Sequence, residues 1–507
     1  MIIINNCAKR ACLSGLFLLL CFINLQLNGQ GINNLWLFGN DTASVFPWGS
    51  CKMNFQSVPF TIQNDNRSIP VQTTNTNIAD SAGNLLFYTN GINIADANGD
   101  TMMNGDHINP SNYASQQVRG QYIIQAALIL PLPQNDSIYY LFHSTIDYQI
   151  QSTALFLYQS VINMKGNNGL GEVILKNQVI LTDTLNTGKI TAVKHGNGRD
   201  WWIICHRAFS TTYYKFLLTP AGLTGPYMQD IGSNRSFDAG QVCFSPDGNK
   251  FAYFSVVTDL DILDFDRCSG TFSNFTHIAI NDSGTGRGVA FSPNSEFLYA
   301  PSTKYVYQFD VTDPNIAATQ TTIAVWDSFY SPLPGGSLLP LPAVYNIAQL
   351  APDGKIYIST GNGTFHMHYI NQPDNPGTAC DFVQHGVQLP FYYFNSLPNH
   401  PNYFLGSSSG SICDSLTYIN EGTHDFGIRI GPNPSDGQFS INYILPAGKE
   451  GLLEITDING KIIGQEKLAK WSTCKNITLK RVADGIHLLK IISGNQYSTS
   501  KLIILRK

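Results

Sequence analysis

The 507 residues predict an all-β protein: a ring of six to eight similar sheet units, with seven expected, followed by a small C-terminal β-sandwich. Three observations lead there. A turn followed by an aromatic-rich strand recurs six times between residues 81 and 357. The acidic residues divide into 29 Asp and 6 Glu, and the chain holds 44 Gly and 25 Pro, a balance that favours turns and strands over helix interiors. The charge changes sign along the chain, from a net −12 over 31–424 to +5 over 425–507, which marks a domain boundary. With 43% hydrophobic and 13% charged residues the chain can bury sizeable cores, and the composition argues against disorder. The overall charge of −5 argues against a nucleic-acid-binding surface.

The N-terminus has the layout of a secretory signal peptide over residues 1–30. Lys9 and Arg10 precede an apolar stretch, Leu13 to Leu27, that ends in Asn28-Gly29-Gln30-Gly31. No later segment reaches the roughly 18 apolar residues of a membrane-spanning helix, so no transmembrane segment is expected after signal removal. Cys21 follows Leu18-Leu19-Leu20 rather than a small residue, which argues against lipidation. Three of the 10 cysteines leave with this segment. The rest form no CxxC pair and no zinc spacing. Export permits disulfides, and nearness in sequence suggests Cys243–Cys268 and Cys380–Cys413, with an odd thiol left free.

The repeats fill the span 31–406. Ser245-Pro246-Asp247-Gly248-Asn249-Lys250-Phe251-Ala252-Tyr253 returns as Ser292-Pro293-Asn294-Ser295-Glu296-Phe297-Leu298-Tyr299 and as Ala351-Pro352-Asp353-Gly354-Lys355-Ile356-Tyr357. Looser copies end at Tyr88, Tyr140 and Trp202. The last aromatics of successive copies stand 46 to 62 residues apart, close to the ~40–50 residues of a four-stranded propeller blade. Pro-Asp-Gly makes a tight turn with Gly where the left-handed conformation is needed, and the strand after it packs between neighbouring blades. A β-propeller is therefore expected, closed by pairing of N-terminal and late strands; a tandem of β-sandwiches is the alternative. The repeats resemble TolB-type and WD-like propeller repeats. The whole span is similar to a family of Bacteroidetes exported proteins of unassigned biochemistry, through Leu35-Trp36-Leu37-Phe38-Gly39-Asn40, Phe265-Asp266-Arg267-Cys268-Ser269-Gly270 and Leu397-Pro398-Asn399-His400-Pro401-Asn402-Tyr403. That resemblance implies a fold and a surface location, and supplies no catalytic residues.

Gly406-Ser407-Ser408-Ser409-Gly410 opens a linker over 407–425, and a terminal domain follows over 426–507. Its segments alternate as short strands, and Asn459-Gly460 is a hairpin signal. Gly431-Pro432-Asn433-Pro434-Ser435-Asp436-Gly437-Gln438-Phe439 resembles the PNP-x-x-G-x-F opening of the type A C-terminal sorting domain of the Bacteroidetes type IX secretion system. Asp457, Gly460, Gly485 and Lys501 fall on its later motifs, while His487 stands at a usual Tyr and Gly431 at a usual aromatic. The resemblance implies an export address read by the outer-membrane translocon and removed by its sortase, and hence a secreted or cell-surface protein.

Chemistry-bearing motifs are few, and no catalytic residue is expected. Gly406 to Gly410 matches G-x-S-x-G without the strand-to-helix elbow that motif needs. Gly284-Thr285-Gly286-Arg287-Gly288 lacks the Lys-Ser/Thr of a phosphate loop. His366 and His368 share one face of a strand, a spacing a metal accepts if Asp381 or His385 supplies a third ligand. Asp259, Asp261, Asp264 and Asp266 form an acidic cluster for which calcium is conceivable, although solvated-edge roles are expected and no cofactor is required. Asp96-Ala97-Asn98-Gly99-Asp100 opens like a calcium loop but lacks its closing Glu, so a hairpin turn is expected. The six Trp could include stacking platforms, with blade packing the simpler role. The expected function is an exported propeller binding an unidentified protein, peptide or glycan, with an extracellular polymer hydrolase or lyase as the alternative.

Overall fold

The computed structural model describes residues 31–507 apart from 42, 45, 148–151, 237–238, 333–339, 409, 412, 415–425, 427, 447, 458–460, 481, 495 and 507. The expected signal peptide over 1–30 and most of the expected linker over 407–425 lie outside the described residues. The chain divides into two units, Met1–Ser408 and Ser409–Lys507. No helix among the described residues is long and apolar enough to cross a membrane.

Among the described residues of the first unit, seven antiparallel sheets of three or four strands follow one another, spanning 35–64, 76–96, 127–186, 191–235, 240–278, 290–325 and 345–394, with a small two-stranded ladder (Tyr330–Ser331 with Leu341–Pro342) before the last. The first two have three strands and the other five have four, hydrogen-bonded in sequence order. Strands covered on both faces read as unbroken apolar runs: Trp201–His206 buries all six of its residues. The apolar clusters show how the sheets meet. Trp36, Phe38 and Met53 of the first sheet pack with Tyr357, Met367 and Leu389 of the seventh. Leu37 and Val71 meet Tyr88 and Ala95 of the second. One cluster joins the second, third and fourth sheets. Trp202 and Ile204 meet Phe251 and Leu263 of the fifth, Phe254 and Leu260 meet Val289 and Leu298 of the sixth, and Tyr299 and Val306 meet Tyr345 and Ile356 of the seventh. Each sheet covers the next and the seventh covers the first. This is a closed seven-bladed β-propeller.

The six repeat aromatics occupy the second strands of sheets two to seven, namely Leu85–Thr89, Ile138–His143, Trp201–His206, Lys250–Ser255, Phe297–Ser302 and Ile356–Thr360. Their polar tips find partners between blades: Tyr88 Oη donates to the Ile69 carbonyl at 2.8 Å, Trp202 Nε1 to Arg267 O at 2.9 Å, and Tyr299 Oη to Pro373 O at 2.7 Å. The expected closure by strand pairing is corrected. Among the described residues no ladder joins the first sheet to a late strand, because the seventh sheet draws all four strands from 345–394 and has no vacancy. Packing closes the ring instead, aided by Tyr392 N–H donating to Pro47 O at 3.0 Å and Asn75 Nδ2 donating to Ser396 Oγ at 3.0 Å.

The second unit holds a three-stranded sheet (Arg429–Gly431, Gln438–Asn442, Cys474–Thr478) and a four-stranded one (Gly451–Thr456, Ile462–Leu468, Gly485–Ser493, Gln496–Ile504). Alternate residues point inward, so that Phe439 and Ile441 from one sheet bury against Leu453, Leu489 and Leu502 from the other. It is a small β-sandwich.

Candidate functional site

After the seventh sheet, the segment 395–408 contains no strand and threads the centre of the ring as a strap. Its hydrogen bonds place it there, because they reach five different sheets. Asn399 N–H donates to Asn75 O, and its side-chain amide donates to Ala127 O and Ile190 O, all at 2.9 Å. His400 Nε2 donates to Asn77 O at 2.8 Å, Asn402 Nδ2 to Pro246 O at 2.8 Å, and Tyr403 Oη to Ile129 O at 2.9 Å. Gln349 Nε2 donates to His400 O at 3.2 Å. The first strands of a propeller present backbone groups to the channel that no strand neighbour can pair, and once buried these must be satisfied. Two further side chains do the same. Gln125 exchanges two hydrogen bonds of 2.9 Å with the backbone of Val242. Gln241 accepts from Val289 N–H at 3.0 Å and Ala348 N–H at 2.9 Å and donates to Ala348 O at 2.6 Å.

Against this strap lies a cavity of about 410 Å³, at the channel end where the turns Ser245-Pro246 and Ala351-Pro352 leave the first strands. Five sheets and the strap wall it, and no Asp, Glu, Lys or Arg is among its lining residues. Its one imidazole, His400, is 7% exposed, and burial holds it neutral by pushing its pKa down to about 4. Phe55, Phe244, Phe291 and Phe404 supply aromatic surface, and Asn33, Asn34, Gln56 and Asn402 supply amides. The cavity can hold and orient a neutral ligand; it carries no charged group to move a proton.

The expected metal site does not assemble. His366 Nδ1 lies 3.1 Å from Ser331 Oγ, His368 Nδ1 accepts from His385 N–H at 2.9 Å, and His385 Nε2 pairs with Asp327 at 2.9 Å. The Phe329 ring stacks on His385 at 4.1 Å and meets His366 edge-on at 5.0 Å, filling the space between the imidazoles. Asp381 accepts from Asn371 at 2.8 Å instead. No group of three metal-ligating side chains occurs among the described residues. Burial lowers the pKa of His368 to about 3. In the acidic cluster, Asp261 is fully buried against Arg235, Asp264 pairs with Lys250 at 2.8 Å, and Asp266 accepts from Ser269 at 2.7 Å. Ser233, Asp261 and His277 lie together, but the serine and the carboxylate both address His277 Nδ1, which is not the relay of a hydrolytic triad. Ser408 N–H of the G-x-S-x-G match donates to Gly196 O at 2.8 Å within the strap.

Both expected disulfides are corrected. Cys243 and Cys380 are free thiols, whereas Cys268 and Cys413 are disulfide-bonded. Cys243 sits on a channel-side strand packed against the sixth sheet, while Cys268 sits in the turn between the outer two strands of its own sheet, so nearness in sequence is not nearness in space. Cys380 is buried beside Tyr299. Of the tryptophans, Trp36, Trp201 and Trp202 are buried between blades and none lines the cavity.

In the sandwich, Asn433, between Pro432 and Pro434, ties the opening motif to the closing strand. Its Nδ2 donates to Lys501 O and its Oδ1 accepts from Ile503 N–H, both at 2.8 Å. Gly437 and Gly485 adopt φ of +108° and +136°, conformations that a side chain strains. Asp457 Oδ1 accepts from Lys461 N–H at 3.0 Å across the hairpin, whose Gly460 lies outside the described residues. His487 is buried and donates from Nε2 to Ala483 O at 3.0 Å.

Residues 429–505 match the model of a secretion system C-terminal sorting domain. No curated protein matches the chain. Among solved structures the chain is similar to a protein from Lactobacillus plantarum (12% identity, 71% of this chain and 98% of that one, TM-score 0.41). It is also similar to a putative 6-phosphogluconolactonase from Bacteroides fragilis (13%, 72% and 97%, TM-score 0.40). A third is a gluconolactonase from Xanthomonas campestris (10%, 66% and 95%, TM-score 0.31).

Proposed function

We propose that this chain is a secreted or cell-surface binding protein. Its propeller takes a ligand in the strap-lined cavity, and its C-terminal β-sandwich is the address for type IX secretion, read by the translocon and its sortase. The observation that carries the binding reading is the cavity itself. It is assembled from five sheets and a dedicated strap, falls in the ~300–1,000 Å³ range of ligand sites, and is lined by aromatic rings and amides without a charged side chain. Such a wall supports recognition rather than acid–base chemistry, which needs titratable groups in reach of the reacting atoms. The match over 429–505 supports the export reading, and the PNP motif and its Asn433 contacts support the type IX assignment.

The test is expression in a host with a working type IX system, with and without residues 425–507. The full chain is expected outside the cell and the shortened one inside; equal export of both would defeat the address. Release of reducing ends from extracellular polymers by the purified chain would favour a hydrolase over a binding protein.

A further inference from the structure

We propose that the strap-lined cavity recognises an uncharged saccharide, a ligand class that rests on reading this cavity as the binding site. Three observations lead to it. First, the wall is polar without charge: the side-chain amides of Asn33, Asn34, Gln56 and Asn402 line it, and an amide both donates and accepts, as sugar hydroxyls do.

Second, the backbone is already engaged. A peptide docking as an added strand needs free N–H and C=O groups along a strand edge. Here Gln125 occupies both groups of Val242, Gln241 occupies both groups of Ala348, and Asn399 takes the carbonyls of Ala127 and Ile190. With these groups taken, the site favours a ligand that uses side-chain amide and aromatic surface over an added strand. Third, that surface suits a sugar ring, whose C–H face lies on an aromatic face while its hydroxyls both donate and accept. Phe404 offers such a face: it lines the cavity with 40% of its surface exposed. The lack of any Lys, Arg, Asp or Glu in the wall selects against uronic or amino sugars, which would lose hydration of their charge without gaining a partner.

The experiment is calorimetric titration of the full mature chain with uncharged tetrasaccharides (gluco-, manno-, xylo- and N-acetylglucosamine-based), an uncharged N-acetylated and C-amidated tetrapeptide, and a tetragalacturonate. At least one uncharged saccharide is expected to bind, and Phe404→Ala, at a half-exposed position, to weaken it about tenfold. Asn33→Leu, which removes one amide from the wall, is expected to weaken it as well, and gives a second variant should Phe404→Ala fail to fold. Binding of the peptide or the galacturonate in place of every uncharged saccharide overturns the ligand class and leaves the cavity as the site. Saccharide binding unchanged in both Phe404→Ala and Asn33→Leu overturns the cavity itself, and absence of any binding overturns both.

Discussion

Gly248 sits at φ +75° in the repeated turn, and a methyl group there would meet Arg267, Leu405 and Val193 atoms at 2.8 Å. Those neighbours belong to two blades and the strap, so one glycine lets three parts of the ring close on each other. Gly248→Ala is expected to cost about 1–3 kcal/mol through crowding and left-handed strain, seen as a lower urea midpoint. A second residue-scale effect comes from buried imidazoles. Burial pushes His143 and His206 down to about 3, as it does His368, and His400 to about 4. Each prefers to be neutral when folded, so its contribution is complete above the ordinary histidine value near 6.5 and is lost as pH falls from there toward the folded value. At about pH 5.5 each is expected to cost about 1.4 kcal/mol. Urea unfolding at about pH 7.5 and 5.5 checks this: the native chain weakens on acidification, and His143→Gln shows a shallower fall. Equal pH dependence in the two would count against a buried neutral His143.

Among the elements, the strap was the least legible in the sequence and is the most informative in the structure. The second strands of sheets two to seven announce themselves, because a polar turn (Pro-Asp-Gly in two of them) and an aromatic on the next strand are local signals that the packing then uses, as at Tyr253, Tyr299 and Tyr357. The first sheet has no such signal: its second strand, Ser50–Asn54, carries Met53 where the others carry an aromatic. Leu397-Pro398-Asn399-His400-Pro401-Asn402-Tyr403 stands out in the sequence only as a family mark, with no role attached, since the carbonyls it serves become neighbours only when the ring closes. The channel residues Gln125 and Gln241 are hidden for the same reason. Asn399→Ala strips donors from two buried carbonyls and is expected to cost about 2–4 kcal/mol, measured as a loss of thermal stability. In the sandwich, Asn433→Ala removes both bonds to the closing strand; reduced export from a type IX host, with the propeller's ligand binding intact, is the expected result.

At the scale of the whole molecule, the chain combines a ring and an address that the sequence separates by charge as well as by pattern. The ring's blades differ in strand number, and its closure rests on Trp36 and Phe38 packing against Tyr357 and Tyr393 rather than on a shared sheet. That leaves the channel to the strap, and the strap, with the ends of the first strands, makes the cavity. The histidine pair weighed as a metal site is instead taken up by Ser331, the His385 backbone and the Phe329 ring. The claim that matters most is that ligand meets protein at the strap-lined cavity. Hydrogen–deuterium exchange of the full chain, with and without the saccharide that titration identifies, tests it directly. Slower exchange confined to 402–404 and to the cavity-facing ends of the first, fourth, fifth, sixth and seventh sheets is the predicted result; protection on the outer strands, or none in the ring, would contradict it.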